Sequence, residues 1–326
     1  MVLDRKKLSV DHKHFFDLPD YLRECDVLVL NDTKVIPARL PGKKIKGGSS
    51  KDGEGGASVE VLFLRSLPGN SWECLVQPAK RIKKGYVIDF GKFCGAVTEE
   101  PDTQRRVLTF EAGVDVLAHL KDNGQVPLPP YIKEKLDEYA DMDYLTQRYQ
   151  TVYAKNEGAS AAPTAGLHFI PELLEKIKNK GIIICYVTLH TGAGTFRPVF
   201  SEFVDGHKMF SEEYFIPKET AEMIQRAKDK GNRVIGVGTT VVRTLEDCFV
   251  KHKKIIAVKD EAEIFIYPPY KLNVVDALVT NFHFPKSTLL MMVSAFAGRD
   301  FVFKAYKEAV ARKYRFYSFG DAMLIV

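Results

Sequence analysis

Several features are scarce in this sequence, and each absence closes off a class of function. No apolar run approaches the roughly 18 residues that suggest a membrane-spanning helix. The five cysteines, Cys25, Cys74, Cys94, Cys185 and Cys248, are odd in number, scattered, and never in C-x-x-C spacing. They support neither a zinc site nor a disulfide framework. Reduced thiols fit a cytoplasmic protein. Met1 leads straight into a strand pattern rather than a signal peptide. No internal repeat is present. Two glycine-bearing turns stop short of the dinucleotide fingerprint. After Gly192 and Gly194 the third glycine is replaced by Arg197, and after Gly236 and Gly238 it is replaced by Val241. A nicotinamide dehydrogenase is therefore disfavoured. The charge imbalance is also small, a net +5 from 47 basic and 42 acidic residues. A solvated cationic surface accounts for it; an anionic partner such as nucleic acid is the sharper reading.

What is present is enough apolar material for a sizeable core, 45% of 326 residues, and a length that suggests two domains. The most informative stretch runs from Ala161 to Pro198. Leu173, Leu174 and Ile177 share one face of a helix that stops at Gly181. Ile182–Leu189 follows as a nearly all-apolar strand, expected to be buried on both faces. Its abrupt end at Thr188-Leu189-His190-Thr191-Gly192 puts small residues and a titratable ring where α/β proteins place ligands.

Along the chain, Asp26–Asn31 is a short buried strand, and Asn31-Asp32-Thr33 after it has the composition of a turn. Residues 41–57 are rich in Gly, Ser and Lys and are expected to be a flexible loop or linker. Five short strand candidates follow between residues 58 and 110, separated by turn clusters, which predicts a small antiparallel barrel or sandwich over 58–130. Lys80, Arg81, Lys83 and Lys84 are grouped within it. A solvated face is the commoner reading of such a run, and a footprint for a phosphate backbone the sharper one. From Ala161 helices and strands alternate. Helices are expected over Glu219–Lys230, Val241–Lys251, Leu289–Ala297 and Phe301–Arg312, with strands at Arg233–Val237, Glu263–Tyr267, Ala277–Thr280 and Ala322–Val326. Alternation of this kind predicts a mostly parallel, covered sheet. The fold class is thus α/β: a discontinuous larger domain from 1–40 and 150–326, with a smaller β-barrel domain inserted.

Four loops of the larger domain carry chemistry. Thr239 and Thr240 open a helix whose free N–H groups suit an anion, and Arg243 in its first turn opposes the helix dipole, which favours a binding role. Thr280-Asn281-Phe282-His283-Phe284-Pro285-Lys286-Ser287 interleaves polar side chains with aromatics, as a flat heterocycle requires; a helix cap with a buried Phe pair is the plainer alternative. Asp321 stands before the terminal strand as either a turn residue or an acceptor for a ribose or amine. Gly192, Gly194, Thr195 and Arg197 form the remaining loop.

Together these motifs carry a resemblance. Arg148-Tyr-Gln-Thr-Val-Tyr-Ala154, Ala161-Ala-Pro-Thr-Ala-Gly-Leu-His-Phe169, Thr188-Leu-His190, Gly192-Ala-Gly-Thr-Phe-Arg-Pro198, Val237-Gly-Thr-Thr240, Arg243-Thr-Leu-Glu246, Thr280-Asn-Phe-His283, Pro285-Lys-Ser-Thr-Leu-Leu290 and Gly320-Asp-Ala-Met-Leu-Ile325 occur in that order. So do Leu30-Asn-Asp-Thr33 and Val35-Ile-Pro-Ala-Arg39. The chain resembles the S-adenosylmethionine:tRNA ribosyltransferase-isomerase family of queuosine synthesis over nearly its whole length. It departs from that pattern in four places. The family usually carries a further strand and helix ahead of Val2-Leu3-Asp4. His207-Lys-Met-Phe210 replaces His-x-Met-His, Pro268-Pro269-Tyr270 replaces Pro-Gly-Tyr, and the 47–57 loop is longer.

The resemblance implies that the ribosyl part of S-adenosylmethionine is attached to 7-aminomethyl-7-deazaguanine at the tRNA wobble position and rearranged. Epoxyqueuosine-tRNA, adenine and methionine would be the products. S-adenosylmethionine would be a consumed substrate, with no metal or other cofactor. The expected partners are that molecule and tRNA, with no membrane, and the chain acting as a monomer. Such chemistry needs a base for the carbon beside the sulfonium, a proton for departing adenine, and exclusion of water. His190 and His168 lead as acid/base candidates, followed by His283 and Asp321; each is alternatively a satisfied structural group. Thr164, Gly192, Gly194, Thr195, Arg197, Thr239, Thr240, Arg243, Asn281, Phe282 and Lys286 are the expected substrate-binding residues, with Arg197 or Arg243 on the methionine carboxylate and Phe282 against a base. Lys80, Arg81, Lys83 and Lys84 are the expected tRNA contacts. An RNA methyltransferase and a non-catalytic tRNA-binding homologue are the alternatives.

Overall fold

The computed structural model describes residues 1–45, 56–129, 132, 142–192, 204–207 and 209–326. The chain divides into two compact units, one from 1–34, 147–156 and 162–326, the other from 35–146 and 157–161.

Among the described residues the larger unit has a nine-stranded sheet. Its order is Val258–Ala262, Glu212–Ile216, Ile183–Leu189, Val27–Asn31, Val234–Val237, Ala277–Asn281, Ala322–Ile325, Val2–Asp4 and Ser9–Asp11. The expected parallel arrangement describes the four central strands, Ile183–Leu189 through Ala277–Asn281. The sheet as a whole is mixed, because antiparallel pairs extend it on both flanks. Val27–Asn31, Val234–Val237 and Ala277–Asn281 are buried at every position, as strands covered on both faces must be. Ile183–Leu189 departs from expectation: Ile183 is exposed, and burial becomes continuous only from Val187.

Strand alternation sorts the core into two layers. Leu28 and Leu30 face Leu173, Leu174 and Ile177 of the Pro171–Asn179 helix. Val27 and Val29 face the opposite layer, with Val241, Val242, Leu245 and Cys248 of the Thr239–His252 helix. The strand expected at Glu263–Tyr267 lies instead at Val258–Ala262, where it pairs with Glu212–Ile216. Val258–Ala262 is an outer strand with alternating exposure, so its charged VKDEA sequence carries little apolar signal. No helix among the described residues is long and apolar enough to cross a membrane.

The smaller unit is a closed antiparallel barrel ordered Arg105–Phe110, Ser71–Gln77, Ser58–Leu67, Arg39–Ile45, Val87–Asp89 and Cys94–Glu99. Phe63, Ile88, Val97, Leu108 and Phe110 are among the side chains that fill it. Residues 41–45, expected to be linker, belong to the Arg39–Ile45 barrel strand. Pro41 and Gly42 disguise it as a turn. Residues 46–55 and 130–131 lie outside the described residues. Val116–Asn123 is a helix within a region read as strands, capped by the Asp115 carboxylate on the Ala118 N–H. Buried Arg106 donates to the carbonyls of Ala79 at 2.7 Å and Ile82 at 2.6 Å. It thereby fixes the short Ala79–Arg81 turn that presents Lys80 and Arg81 to solvent.

Candidate active site

The four central strands run in one direction, so their carboxyl ends share one edge, where α/β sheets bind ligands. That edge is built from Asn31, Leu189, Val237 and Asn281 and the loops after them. A cavity of about 240 Å³ opens there, lined by Thr164, Ala165, Thr191, Gly238–Thr240, Thr280–Pro285, Tyr317 and Ser318 among others.

Gly238 in its lining and Gly166 next to it each have a special local geometry. Gly238 adopts φ 92°, turning the chain from the Val234–Val237 strand into the Thr239–His252 helix. Gly166 lies in the Thr164–His168 turn, where a Cβ would stand 2.1 Å from the Tyr153 hydroxyl. Asn281 is the polar hub. Its amide donates to the Tyr317 carbonyl at 3.1 Å and meets His168 Nε2 at 3.1 Å, while its carbonyl oxygen accepts from the Thr164 hydroxyl at 3.2 Å. The Phe284 and Tyr317 rings stack with centroids 3.6 Å apart and planes 11° apart.

Of the four acid/base candidates, His283 lines this cavity. Its Nε2 pairs with the Thr280 hydroxyl at 2.8 Å, and the hydroxyl can serve either tautomer. Burial pushes its pKa down to about 4, so the ring is neutral at pH 7. His168 lies behind Asn281 and lines a second cavity of about 410 Å³ with Lys13, His14, Arg315 and Asp321. Burial also takes its pKa to about 4, against the pull of the Asp321 charge. Phe15 stacks on it at 5.0 Å. Asp321 is bound to Arg315 at 2.6 Å. Burial acts upward on that carboxyl, but the hydrogen bonds and charge of Arg315 outweigh it and hold the pKa below the usual range. His190 Nδ1 is hydrogen-bonded to the Thr33 hydroxyl at 2.8 Å, away from the cavity lining. Burial lowers its pKa, opposed by the Glu213 charge. The second cavity is the larger, yet the first holds the helix start and the strand ends.

The binding candidates separate in the same way. Thr164, Thr239, Thr240 and Asn281 line the cavity. Gly192 donates its N–H to the Glu212 carboxylate at 2.9 Å. Gly194, Thr195 and Arg197 lie outside the described residues. Three of the expected binding residues are placed differently from the rest. The Phe282 ring is 0% exposed and packed against Tyr306, Tyr314 and Phe316, while Phe284 stacks on Tyr317. Arg243 is not an open cation. It pairs with buried Glu212 and donates to the carbonyls of Phe210 at 3.1 Å and Ala262 at 2.8 Å. Lys286 is exposed, with φ 57°, in the turn before the Ser287 cap, outside the lining. Lys80, Arg81, Lys83 and Lys84 are exposed on the barrel unit; Lys83 is 3.4 Å from Glu100.

Sequence alone does not single out Glu212. Its partners Gly192 and Arg243 are 20 and 31 positions away, and no local pattern signals such an interaction.

The chain is similar to known proteins along its length. The profile of a family described as queuosine biosynthesis protein matches residues 1–325. The S-adenosylmethionine:tRNA ribosyltransferase-isomerase of Staphylococcus saprophyticus is 48% identical over 328 aligned positions, covering 100% of this chain and 92% of that protein. The crystal structure of S-adenosylmethionine tRNA ribosyltransferase from Thermotoga maritima is 37% identical with a TM-score of 0.53, covering 100% of this chain and 91% of that one.

The buried histidines give stability a definite pH dependence. His283 titrates at about 4 when folded and near 6.5 when unfolded. The unfolded state therefore binds the extra proton between those values, and stability falls as pH drops from 6.5 toward 4. The full effect is on the order of 3 kcal/mol, with roughly 2 kcal/mol gone by pH 5. Chemical denaturation at pH 7 and pH 5 should show a smaller loss for His283→Asn than for the natural chain. Equal losses would mean that His283 is not held neutral by the fold.

Proposed function

The chain belongs to the queuosine biosynthesis protein family, and on that premise we infer that it transfers the ribosyl group of S-adenosylmethionine to tRNA and isomerises it. The acceptor is the aminomethyl group of 7-aminomethyl-7-deazaguanine at the wobble position, and the product is epoxyqueuosine-tRNA. The observation that carries the site assignment is the cavity at the carboxyl edge. It combines an aromatic stack, an amide hub, a neutral buried histidine and an uncapped helix start in one apolar enclosure.

The reaction balances without an external oxidant. A C–N bond forms at the acceptor amine, a C–C bond closes the carbocycle and a C–O bond closes the epoxide. The glycosidic bond to adenine, the ring C–O bond of the ribosyl group and the C–S bond to methionine break, and sulfur takes the electron pair of the last. Protons leave the carbon beside the sulfonium and the amine; one goes to adenine and one to solvent. S-adenosylmethionine is consumed as a substrate, so no redox cofactor is called for.

Phe284 and Tyr317 offer an aromatic surface for adenine. Asn281 and Thr164 orient the nucleoside by hydrogen bonds. His283, neutral at working pH, accepts the proton from the carbon beside the sulfonium. His190 gives up that leading position because it is not among the residues that line the cavity, whereas His283 is. His168 supports Asn281 from behind. The apolar walls exclude water while the sugar rearranges.

Incubation with S-adenosylmethionine and tRNA bearing the 7-aminomethyl-7-deazaguanine base should release adenine and methionine in step with epoxyqueuosine. His283→Asn should lower turnover by about 10² to 10⁴, the usual worth of a positioned acid or base, with substrate binding little changed. A mass gain of one methyl group would mean methyl transfer instead. Full turnover in the variant would return the base assignment to His168, His190 or Asp321.

Lys80, Arg81, Lys83 and Lys84 are proposed to meet the phosphate backbone of tRNA. Neutralising all four should weaken binding similarly for any tRNA and flatten the salt slope by about 0.9 for each phosphate no longer neutralised. An unchanged slope would make the run a solvated face.

A further inference from the structure

The start of the Thr239–His252 helix faces a second compartment as well. A small cavity of about 40 Å³ shares Thr239, Thr240 and Leu289 with the cavity at the carboxyl edge and reaches Glu212 and Arg243. Two polar atoms there lack a hydrogen-bond partner among the described residues, Thr240 Oγ1 and Arg243 Nε. Both residues are more than nine-tenths buried. They sit three positions apart and so project from one face of the helix. The helix has no side-chain cap, because its cap residue is Gly238. Its first N–H groups have no partner within the helix.

Leaving buried donors unmatched is costly, and native structures avoid it. Here an unpartnered hydroxyl and an unpartnered guanidinium N–H belong to residues that line one small compartment beside a helix start. A carboxylate offers about four acceptor positions and negative charge, which matches that set. Most of Arg243 is already engaged. Its other nitrogens serve Glu212 and two carbonyls, so Nε is the edge left for a ligand. The Glu212 carboxylate lines the same compartment. It supplies the opposite charge for an ammonium group.

We propose that this compartment seats the amino-acid end of S-adenosylmethionine, with its carboxylate on Thr240 Oγ1, Arg243 Nε and the helix start. The proposal rests on the ribosyl transfer reading and adds where the departing methionine is held. The nucleoside then occupies the larger cavity on the other side of Thr239 and Thr240, and the sulfonium lies between the two.

The test compares two ligands on three proteins by calorimetry: S-adenosylmethionine and its decarboxylated analogue, against the natural chain, Thr240→Val and Thr240→Ser. Thr240 is chosen because removing Arg243 would strand buried Glu212. The natural chain should bind the decarboxylated ligand at least about tenfold more weakly, and Thr240→Val should weaken S-adenosylmethionine about tenfold while changing the analogue less than about twofold. Thr240→Ser should keep the natural discrimination. Equal loss of both ligands in Thr240→Val, or no discrimination by the natural chain, would overturn the seat while leaving the reaction intact. So would a fall in tRNA affinity with discrimination unchanged, which would assign the hydroxyl to a phosphate. Failure of the natural chain to bind S-adenosylmethionine would remove the proposed function and this seat together. The ligand comparison on the natural chain needs no variant to fold.

Discussion

Asn31 ends the central strand and ties it to its neighbour. Its amide donates to the Leu189 carbonyl at 3.1 Å, and its side-chain oxygen accepts the N–H groups of Leu189 at 3.0 Å and Thr33 at 3.1 Å. Asp32 continues the tie, accepting from the Thr188 hydroxyl at 2.6 Å and from Asn156 at 3.0 Å. Strands that stop together leave backbone groups without a ladder partner, and a buried group of that kind destabilises the fold unless another donor or acceptor meets it. This clamp satisfies those groups while keeping the carboxyl edge level. The loops carrying His190, Thr239 and Asn281 all depart from that level edge. A shift of one strand would separate the groups that the proposed reaction must hold together.

The same edge explains the state of its histidines. The His283 ring is buried and meets the Thr280 hydroxyl, and burial keeps it neutral. A neutral ring in an enclosed site accepts a proton without first losing one to solvent, as a base for an acidified carbon requires. At His168 the Asp321 charge works against burial, yet Asp321 is itself held by Arg315, and burial still prevails. Charge on this side is matched in pairs, Arg243 with Glu212 and Arg315 with Asp321. The barrel unit differs in kind: Lys80, Arg81 and Lys84 are exposed on a turn fixed from beneath by Arg106.

Much of this was legible in the sequence because it is encoded locally. The apolar runs at 27–31, 234–237 and 277–281 announce buried strands, and the spacing of Leu173, Leu174 and Ile177 announces a helix. Thr239-Thr240 after glycine marks a helix start. The failures have a common cause. Val258–Ala262 draws its strand character from its partner at 212–216, not from its own charged residues. Arg39–Ile45 is held in the barrel by neighbours on both sides despite Pro41 and Gly42. Phe282 and Phe284 look equivalent in sequence, yet tertiary packing buries the first among Tyr306, Tyr314 and Phe316 and leaves the second to stack on Tyr317. The cation of Arg243 and the partner that neutralises it lie 31 positions apart.

The proposed reaction places S-adenosylmethionine at the carboxyl edge of the parallel strands. A crystal structure with S-adenosylhomocysteine, which cannot react in the same way, tests this placement most directly. Density is expected for adenine against Phe284 and Tyr317, with the ribose beside Asn281 and His283. Density in the cavity beyond His168, among Lys13, Arg315 and Asp321, with the edge cavity vacant, would contradict it.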